Sequence, residues 1–364
     1  MRFIPLSCIE NCMSKRISII VPVYNAARTL EYTLGSVLSG NFSKDCELII
    51  IDDGSTDDSP GICDRFGSLN PDIKVIHQPN SGVSQARNAG MDASDGEYLM
   101  FLDADDILPE LTLSLCLSAL ESSPDIVIGG YSTRSAEGRP IRQIPVFDRI
   151  YQDWELSMFW DDNFSHYGSF LRPVWGKLFC RSLIYSEEPL RFCKSLNYGE
   201  DFLFLFEYLC RCRKVVTVSE TLYIYRDGGT GLSSDLSSDR HLLQLIQLVG
   251  LYDALTVKMK AAFPQSRAVA GMYHQDLVGR LICRALTVFS TRKTKICTSD
   301  NISRFYSLMK KDAGLKGLKG LFSLRARQIP NLLLFKIGSP RFSAMVYGMS
   351  SALCELFHFR PRRY

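Results

Sequence analysis

No run of 18 or more apolar residues occurs in the 364-residue chain, so no membrane-spanning helix is predicted. The opening MRFIPLSCIENC carries one arginine and no continuous apolar stretch, and it does not read as a secretory leader. An excess of one charge is also missing. The 42 Lys and Arg stand against 39 Asp and Glu, a formal net charge of +3, which argues against a nucleic-acid binder. Cysteine is plentiful, at 12, but the pattern of a disulfide or zinc framework is absent. Cys46, Cys63, Cys116 and Cys180 are scattered singly among apolar neighbours, and the close pairs Cys8/Cys12 and Cys210/Cys212 lack zinc-ligand spacing. Reduced thiols in a cytoplasmic protein are expected. His166, His241, His274 and His358 show no ligand spacing, and His77 ends a predicted strand where a structural histidine is expected. G-x-G-x-x-G is missing, and Val21–Asn25, which closes the first predicted strand, has no glycine. That removes a dinucleotide-dependent dehydrogenase and a nucleotidylyltransferase with a glycine-rich phosphate loop.

What is present is enough apolar residue, 46%, to bury a sizeable core. The charge is unevenly placed: residues 301–364 hold 12 Lys and Arg against Asp312 and Glu355, a net +10, leaving the first 300 residues at a net −7. An acidic body with a basic tail is the reading. Strand and helix patterns alternate from Ile17: strands at Ile17–Val23, Glu47–Asp53, Ile73–His77, Glu97–Asp103 and Asp125–Gly130, with helical spacing between them. This order predicts an α/β fold, a Rossmann-like, mainly parallel sheet with helices on both faces. Residues 131–199 are irregular and aromatic, with short strands near Arg142–Phe147 and helices near Trp154–Phe164 and Trp175–Ile184. A helix follows from Glu200 to Arg211, then two short strands in Val215–Arg226, and the pattern turns helical beyond residue 235 (Leu242–Phe263, Ala268–Ser290).

Ligands of such sheets bind outside the carboxyl ends of the strands. Those ends carry Tyr24-Asn25, Asp52-Asp53 and Asp103-Ala104-Asp105-Asp106. Carboxylates this crowded repel one another unless a cation neutralises them, and the pattern suits a hard divalent ion bridging to substrate phosphates. The plainer alternative is an acidic turn with Asp106 capping the next helix. Arg87 could be a solvated helix charge, but Gly82, Ala86, Ala89 and Gly90 keep its helix slim on one side, where another backbone or a ligand could approach. Asn197-x-x-Glu200 fits a capping box, which would occupy Glu200 and leave Asp201 free at a helix N-terminus that favours its anion.

VPVYN (Val21–Asn25), IDDGSTDDS (Ile51–Ser59), NSGVSQARNAG (Asn80–Gly90) and GEYLMFLDADD (Gly96–Asp106) together resemble the family 2 glycosyltransferases of the GT-A fold. The likeness is strong over about residues 16–130. It continues more weakly through Trp175–Phe179, Gly199–Asp201 and Leu222–Arg226, and ends near 235. It implies an N-terminal extension at 1–15 and a catalytic domain at 16–235, with a nucleotide-sugar half at 16–130 and an acceptor half at 131–235. A helical region with the basic tail, 236–364, would follow. Pro22, Val23, Tyr24 and Asp53 should line the base pocket, with Asp53 accepting from uracil N3–H. Arg87 should lie beside the nucleotide. Asp103 should contact ribose and metal, and Asp105 should coordinate Mg²⁺ or Mn²⁺. Asp201 should be the general base, with Trp175, Tyr198 and Glu200 on the acceptor side. The activity implied is inverting transfer from a nucleotide-sugar, with UDP the expected nucleotide, to a glycan or lipid-linked glycan in cell-surface polysaccharide assembly. A catalytically dead nucleotide-sugar-binding scaffold is the alternative. The basic tail suggests peripheral contact with the anionic inner face of a membrane, and no nucleic-acid partner is expected.

Overall fold

The computed structural model describes residues 15–135, 138–167, 171–196 and 199–227, and beyond them 255, 257–267 and 269. The chain divides into two compact units, Met1–Gly228 and Gly229–Tyr364. In the second unit residues 257–262 are helical, and Leu255, Met259 and Phe263 are buried at a spacing of one helical turn. The rest of the expected helical region, the basic tail, Asn197 and Tyr198 lie outside the described residues. Among the described residues no helix is long and apolar enough to cross a membrane.

The first unit is built on a nine-stranded sheet. Its first strands are β1 (Ile17–Val23), β2 (Cys46–Asp52), β3 (Ile73–His77) and β4 (Tyr98–Phe101). Every residue of β1 and β2 is buried, as continuous β-branched runs covered on both faces require. Their pairing is parallel, from Ile17 opposite Cys46 to Val23 opposite Asp52. Helices α1 (Leu30–Ser39), α2 (Ser59–Gly67) and α3 (Val83–Asp92) make the crossovers. Leu30, Leu34 and Val37 of α1 are fully buried. The spatial order β3-β2-β1-β4 reverses at β1, so the crevice of the sheet opens between the ends of β1 and β4.

After α4 (Thr112–Ala119) the chain enters β5 (Ile126–Ser135), β6 (Pro140–Ile144), β7 (Arg149–Gln152) and α5 (Leu156–Tyr167). Then come β8 (Lys177–Cys180), α6 (Arg181–Ile184), α7 (Glu200–Leu209) and β9 (Lys214–Asp227). The full path is β3-β2-β1-β4-β8-β5-β9-β7, with β6 on β5. Parallel pairs (β1·β2, β1·β4, β2·β3, β5·β9) and antiparallel pairs (β4·β8, β5·β8, β5·β6, β7·β9) are equal in number. The mainly parallel sheet expected from sequence is therefore confined to its first half. The cause is β8, read from sequence as part of a helix over Trp175–Ile184. It inserts between β4 and β5, antiparallel to both, and only Arg181–Ile184 is helical. The two short strands expected in Val215–Arg226 are one strand, β9, bent where its register with β5 shifts at Gly129 and Gly130. A Cβ at Gly129 would sit 2.2 Å from Leu222 Cγ, so only glycine permits that approach. Cys46, Cys63, Cys116 and Cys212 are buried free thiols.

At the amino ends of the parallel strands a buried carboxylate of β2 ties four segments together. Glu47 Oε1 accepts from Ser18 Oγ (2.6 Å), Asp95 N (2.6 Å) and Gly96 N (3.2 Å), while Oε2 pairs with Lys74 Nζ at 2.8 Å. Glu47→Ala would leave buried donors without partners, at about 1–3 kcal/mol each. Urea titration should show a lowered midpoint with an unchanged slope; a midpoint within error of the parent would contradict this role.

Candidate active site

The crevice is built by loops that hold one another. The loop after β1 interlocks with that after β2: Asn25 N donates to Ser55 Oγ (3.0 Å), Thr56 N to Asn25 Oδ1 (2.8 Å), Ala26 N to Ser59 Oγ (2.9 Å) and Ala27 N to Asp57 Oδ2 (3.0 Å). Pro22 and Val23 are buried strand residues, and only Tyr24 of that segment stands in solvent. Asp53 is buried. Its Oδ1 accepts from Gln78 Nε2 (2.6 Å) and Ser81 N (2.9 Å), and its Oδ2 from Gly82 N (2.7 Å). It thus braces the loop that starts α3, and Oδ2 keeps one lone pair without a donor among the described residues. His77 lies between Asp52 (Nδ1, 2.8 Å) and Asp64 (Nε2, 3.0 Å); the two hydrogen bonds raise its pKa.

The loop after β4 is fixed from both sides. Ala104 O accepts from Thr29 Oγ1 (3.0 Å) and Thr33 Oγ1 (2.9 Å) of the first crossover. Asp106 is fully buried and does not cap a helix. It accepts from Tyr223 Oη (2.6 Å) and Arg226 N (2.8 Å), tying the loop to β9. The same Tyr223 hydroxyl accepts from Asp103 N at 3.2 Å. Asp103 and Asp105 are left facing the crevice. Asp105 is at the surface, and among the described residues no side chain donates to it. Partial desolvation by its surroundings, then the Asp103 carboxylate, raise its pKa. Crowded, acceptor-only carboxylate oxygens fit a hard divalent ion. No group of three or more His, Cys, Asp or Glu among the described residues could hold one. Two carboxylates plus phosphate oxygens from a ligand would be the donor set.

Arg87 is the centre of the cluster. Its side chain is 4% exposed, not a solvated helix charge. Nη2 donates to Asp103 Oδ1 at 3.0 Å, and Nη1 donates to Asp201 Oδ1 and, at 3.4 Å, to Glu200 Oε1. Burial opposes its charge, but Asp201, Asp103 and Glu200 together raise its pKa. Its guanidinium lies over the Phe192 ring, 5.3 Å from the centroid. The slim side of α3 meets β1 and not a ligand: a Cβ on Gly90 would reach 2.3 Å from Ile20 Cγ2.

Glu200 and Asp201 open α7, whose cap is Gly199 at φ +81° with no side-chain cap. The capping box expected at Asn197 is therefore not how α7 begins; Glu200 faces Arg87. Asp201 is pushed well above the ordinary carboxylate range by burial, with Glu200 and Asp103 adding to it and Arg87 opposing. Trp175 is partly buried and stacks on Tyr223, with ring centroids 4.3 Å apart and planes at 8°. The structure thus joins Arg87, Asp103, Glu200 and Asp201 in one ionic cluster, with Asp105 at its rim. Sequence reasoning missed Tyr223, although it lies in a motif it had singled out.

Arg87→Gln would leave three carboxylates facing each other without their cation, a loss of about 3–5 kcal/mol for a broken buried pair. Burial raises the Asp201 pKa to about 8 and Arg87 opposes the rise, so the deficit is largest where Asp201 is ionised. It should grow as pH rises from about 6 to about 9 through that raised pKa, and shrink as the carboxyl takes up its proton. Urea midpoints at the two pH values check this, and a deficit that does not change with pH would contradict it.

Known proteins resemble this chain in sequence and in fold. A family model described as "Glycosyl transferase family 2" matches residues 18–180. Glycosyltransferase GlyA of Streptococcus pneumoniae is 31% identical over 226 residues, 58% of this chain and 30% of that protein. This chain therefore spans under a third of GlyA. The uncharacterized glycosyltransferase EpsJ of Bacillus subtilis is 30% identical over 274 residues, 74% of this chain and 75% of EpsJ. Among solved structures, S. aureus TarS 1–349 in complex with UDP aligns with a TM-score of 0.65 at 16% identity, covering 93% of this chain and 91% of that one. On the match to the family model and the span shared with EpsJ, the chain belongs to the family 2 glycosyltransferases.

Proposed function

We infer that the chain transfers a sugar, with inversion, from a UDP-sugar to a hydroxyl of a glycan or lipid-linked glycan in cell-surface polysaccharide assembly. The observation that carries this reading is the single guanidinium shared by Asp103 and Asp201. It sets a carboxylate suited to proton abstraction beside the rim where a diphosphate and its ion would sit. TarS, which shares the fold, is known in complex with UDP, which supports UDP as the nucleotide. The net +10 of residues 301–364 suits peripheral contact with an anionic inner membrane face.

In this reading Asp201 takes the proton of the acceptor hydroxyl as its oxygen attacks the anomeric carbon. The bond from that carbon to the diphosphate oxygen breaks on the opposite face. A base works best when its pKa lies near the working pH, and the surroundings of Asp201 shift it that way. Asp103 and Asp105 would hold a divalent ion whose charge offsets that developing on the leaving diphosphate. Asp53 would accept from the uracil N3–H with its remaining lone pair, and Tyr24 would lie against the base.

Asp201→Asn should bind UDP like the parent yet lose transfer by roughly 10²–10⁴-fold. Asp105→Asn should lose both transfer and the part of UDP affinity that depends on Mn²⁺ or Mg²⁺, and a chelator should mimic it. Diphosphate release from a nucleotide-sugar panel measures the first quantity and calorimetry the second. Full activity of Asp201→Asn would remove the proposed base, and full activity in chelator the ion.

The acid limb of the pH profile follows from the same cluster. Activity needs ionised Asp201, so it should fall as pH drops through a pKa above the usual carboxylate range. Glu200 raises that pKa. Glu200→Gln should therefore move the limb to lower pH, and a limb that stays put or rises would contradict the assignment.

A further inference from the structure

His77 has no part in the mechanism above, yet it stands where the loops of the crevice meet. It closes β3 opposite Asp52, the last residue of β2. Asp52 Oδ2 lies 2.8 Å from Nδ1, and Asp64 Oδ1, from α2, lies 3.0 Å from Nε2. Among the described residues these are the charged groups set against the ring. Lys74, earlier on β3, is taken up by Glu47 and Asp95, and burial pushes the neighbouring Cys63 thiol of α2 up to about 12, clear of the histidine range. Carboxylates accept and do not donate, and a neutral imidazole carries a single N–H. Filling both contacts therefore takes the imidazolium, with an N–H on each ring nitrogen.

From Asp52 the hydrogen bonds run on into the loops. The Asp52 side chain is 4% exposed; burial would raise its pKa, but hydrogen bonds from Ser55 and His77 outweigh that and lower it. Its Oδ1 accepts from Ser55 N at 3.1 Å, Ser55 Oγ from Asn25 N at 3.0 Å, and Asn25 Oδ1 from Thr56 N at 2.8 Å. Gln78, next to the histidine, donates from its backbone to Asp52 O at 2.9 Å and from its side chain to Asp53 Oδ1 at 2.6 Å. Gly54, at φ +70°, presses the loop after β2 onto the loop after β3, for a Cβ there would lie 2.6 Å from Asn80 N. The His77 ring is thus joined by an unbroken series of hydrogen bonds to the segments on both sides of Tyr24 and Asp53.

We propose that His77 is a positioning residue for the donor: as an imidazolium it holds Asp52 against Ser55 and keeps the loops after β1 and β2 in the shape that takes the nucleotide, so donor affinity falls once the ring loses its proton. This rests on the reading that those loops take the nucleotide, and it assigns His77 no contact with it. The two carboxylates raise the pKa of the ring. The brace is therefore complete below the ordinary histidine value of about 6.5 and is lost as pH rises through a higher one.

The test uses the full chain, with UDP affinity read by calorimetry in Mg²⁺, and the His77 ring and the Ser55 and Asn25 amides read by NMR. Near about pH 6 the parent should bind UDP about fivefold or more tightly than His77→Gln, and the ratio should fall toward one near about pH 9. Ionisation of UDP and of the Arg87 cluster is common to both proteins and cancels in the ratio. By linkage, UDP must raise the midpoint of the His77 titration in the parent, by about 0.7 on the pH scale for a fivefold ratio. Asp64→Asn still accepts from Nε2–H but removes one counter-charge, so the ring midpoint and the fall in affinity should both move to lower pH. A ratio that does not change with pH, or a His77 midpoint that is the same with and without UDP, would overturn the proposal. Should His77→Gln not fold, the linkage measurement on the parent decides alone. If the parent binds no UDP, the nucleotide reading fails, and the amides still decide the brace: Ser55 and Asn25 should titrate with the His77 midpoint, and amides that do not respond would overturn it.

Discussion

A guanidinium buried in a protein interior must be neutralised, and Arg87 is neutralised by three carboxylates from two separate parts of the chain. Asp103 comes from the loop after β4, and Glu200 and Asp201 from the first turn of α7. Much of the site depends on that pairing. It joins the loop after β4 to a helix that begins almost 100 residues later in sequence. Removing Arg87 leaves three carboxylates facing one another without a cation. Burial first, and then Glu200 and Asp103 against the single cation, make Asp201 hold its proton more tightly than a solvated carboxylate would.

The surrounding scaffold serves to keep the loops around that pairing from relaxing. Thr29 and Thr33 grip Ala104, Tyr223 grips Asp106 and Asp103, and Asp53 grips the loop that starts α3. Apart from the Tyr223–Asp106 bond between two side chains, these join a side chain to a backbone group near strand ends, where the sheet itself provides rigidity. The order β3-β2-β1-β4 places the crevice, and β8 pairs with β4 beyond it. One side of the crevice is thus held by the loops after β1, β2 and β4, and the other by the first turn of α7.

The parallel half of the fold was legible because β1, β2 and β3 are runs of β-branched residues closed by polar turn residues. The second half was not. Four residues, Lys177–Cys180, make a strand only because β4 and β5 offer edges on either side, and no periodicity within KLFC announces it. Arg87 was singled out from its motif, but a single helix position says nothing of a partner 114 residues away. Glu200 was assigned to a cap because its spacing from Asn197 fits one; the glycine at φ +81° that begins the helix, and the pull of Arg87, give it a different place.

A crystal structure of the chain with UDP and Mn²⁺ tests the central claim most directly. The account predicts the ion against Asp103 and Asp105, and Arg87 still donating to Asp201 beneath the diphosphate. An Arg87 swung away from Asp201 onto the phosphates, or a nucleotide bound away from the ends of β1 and β4, would contradict it.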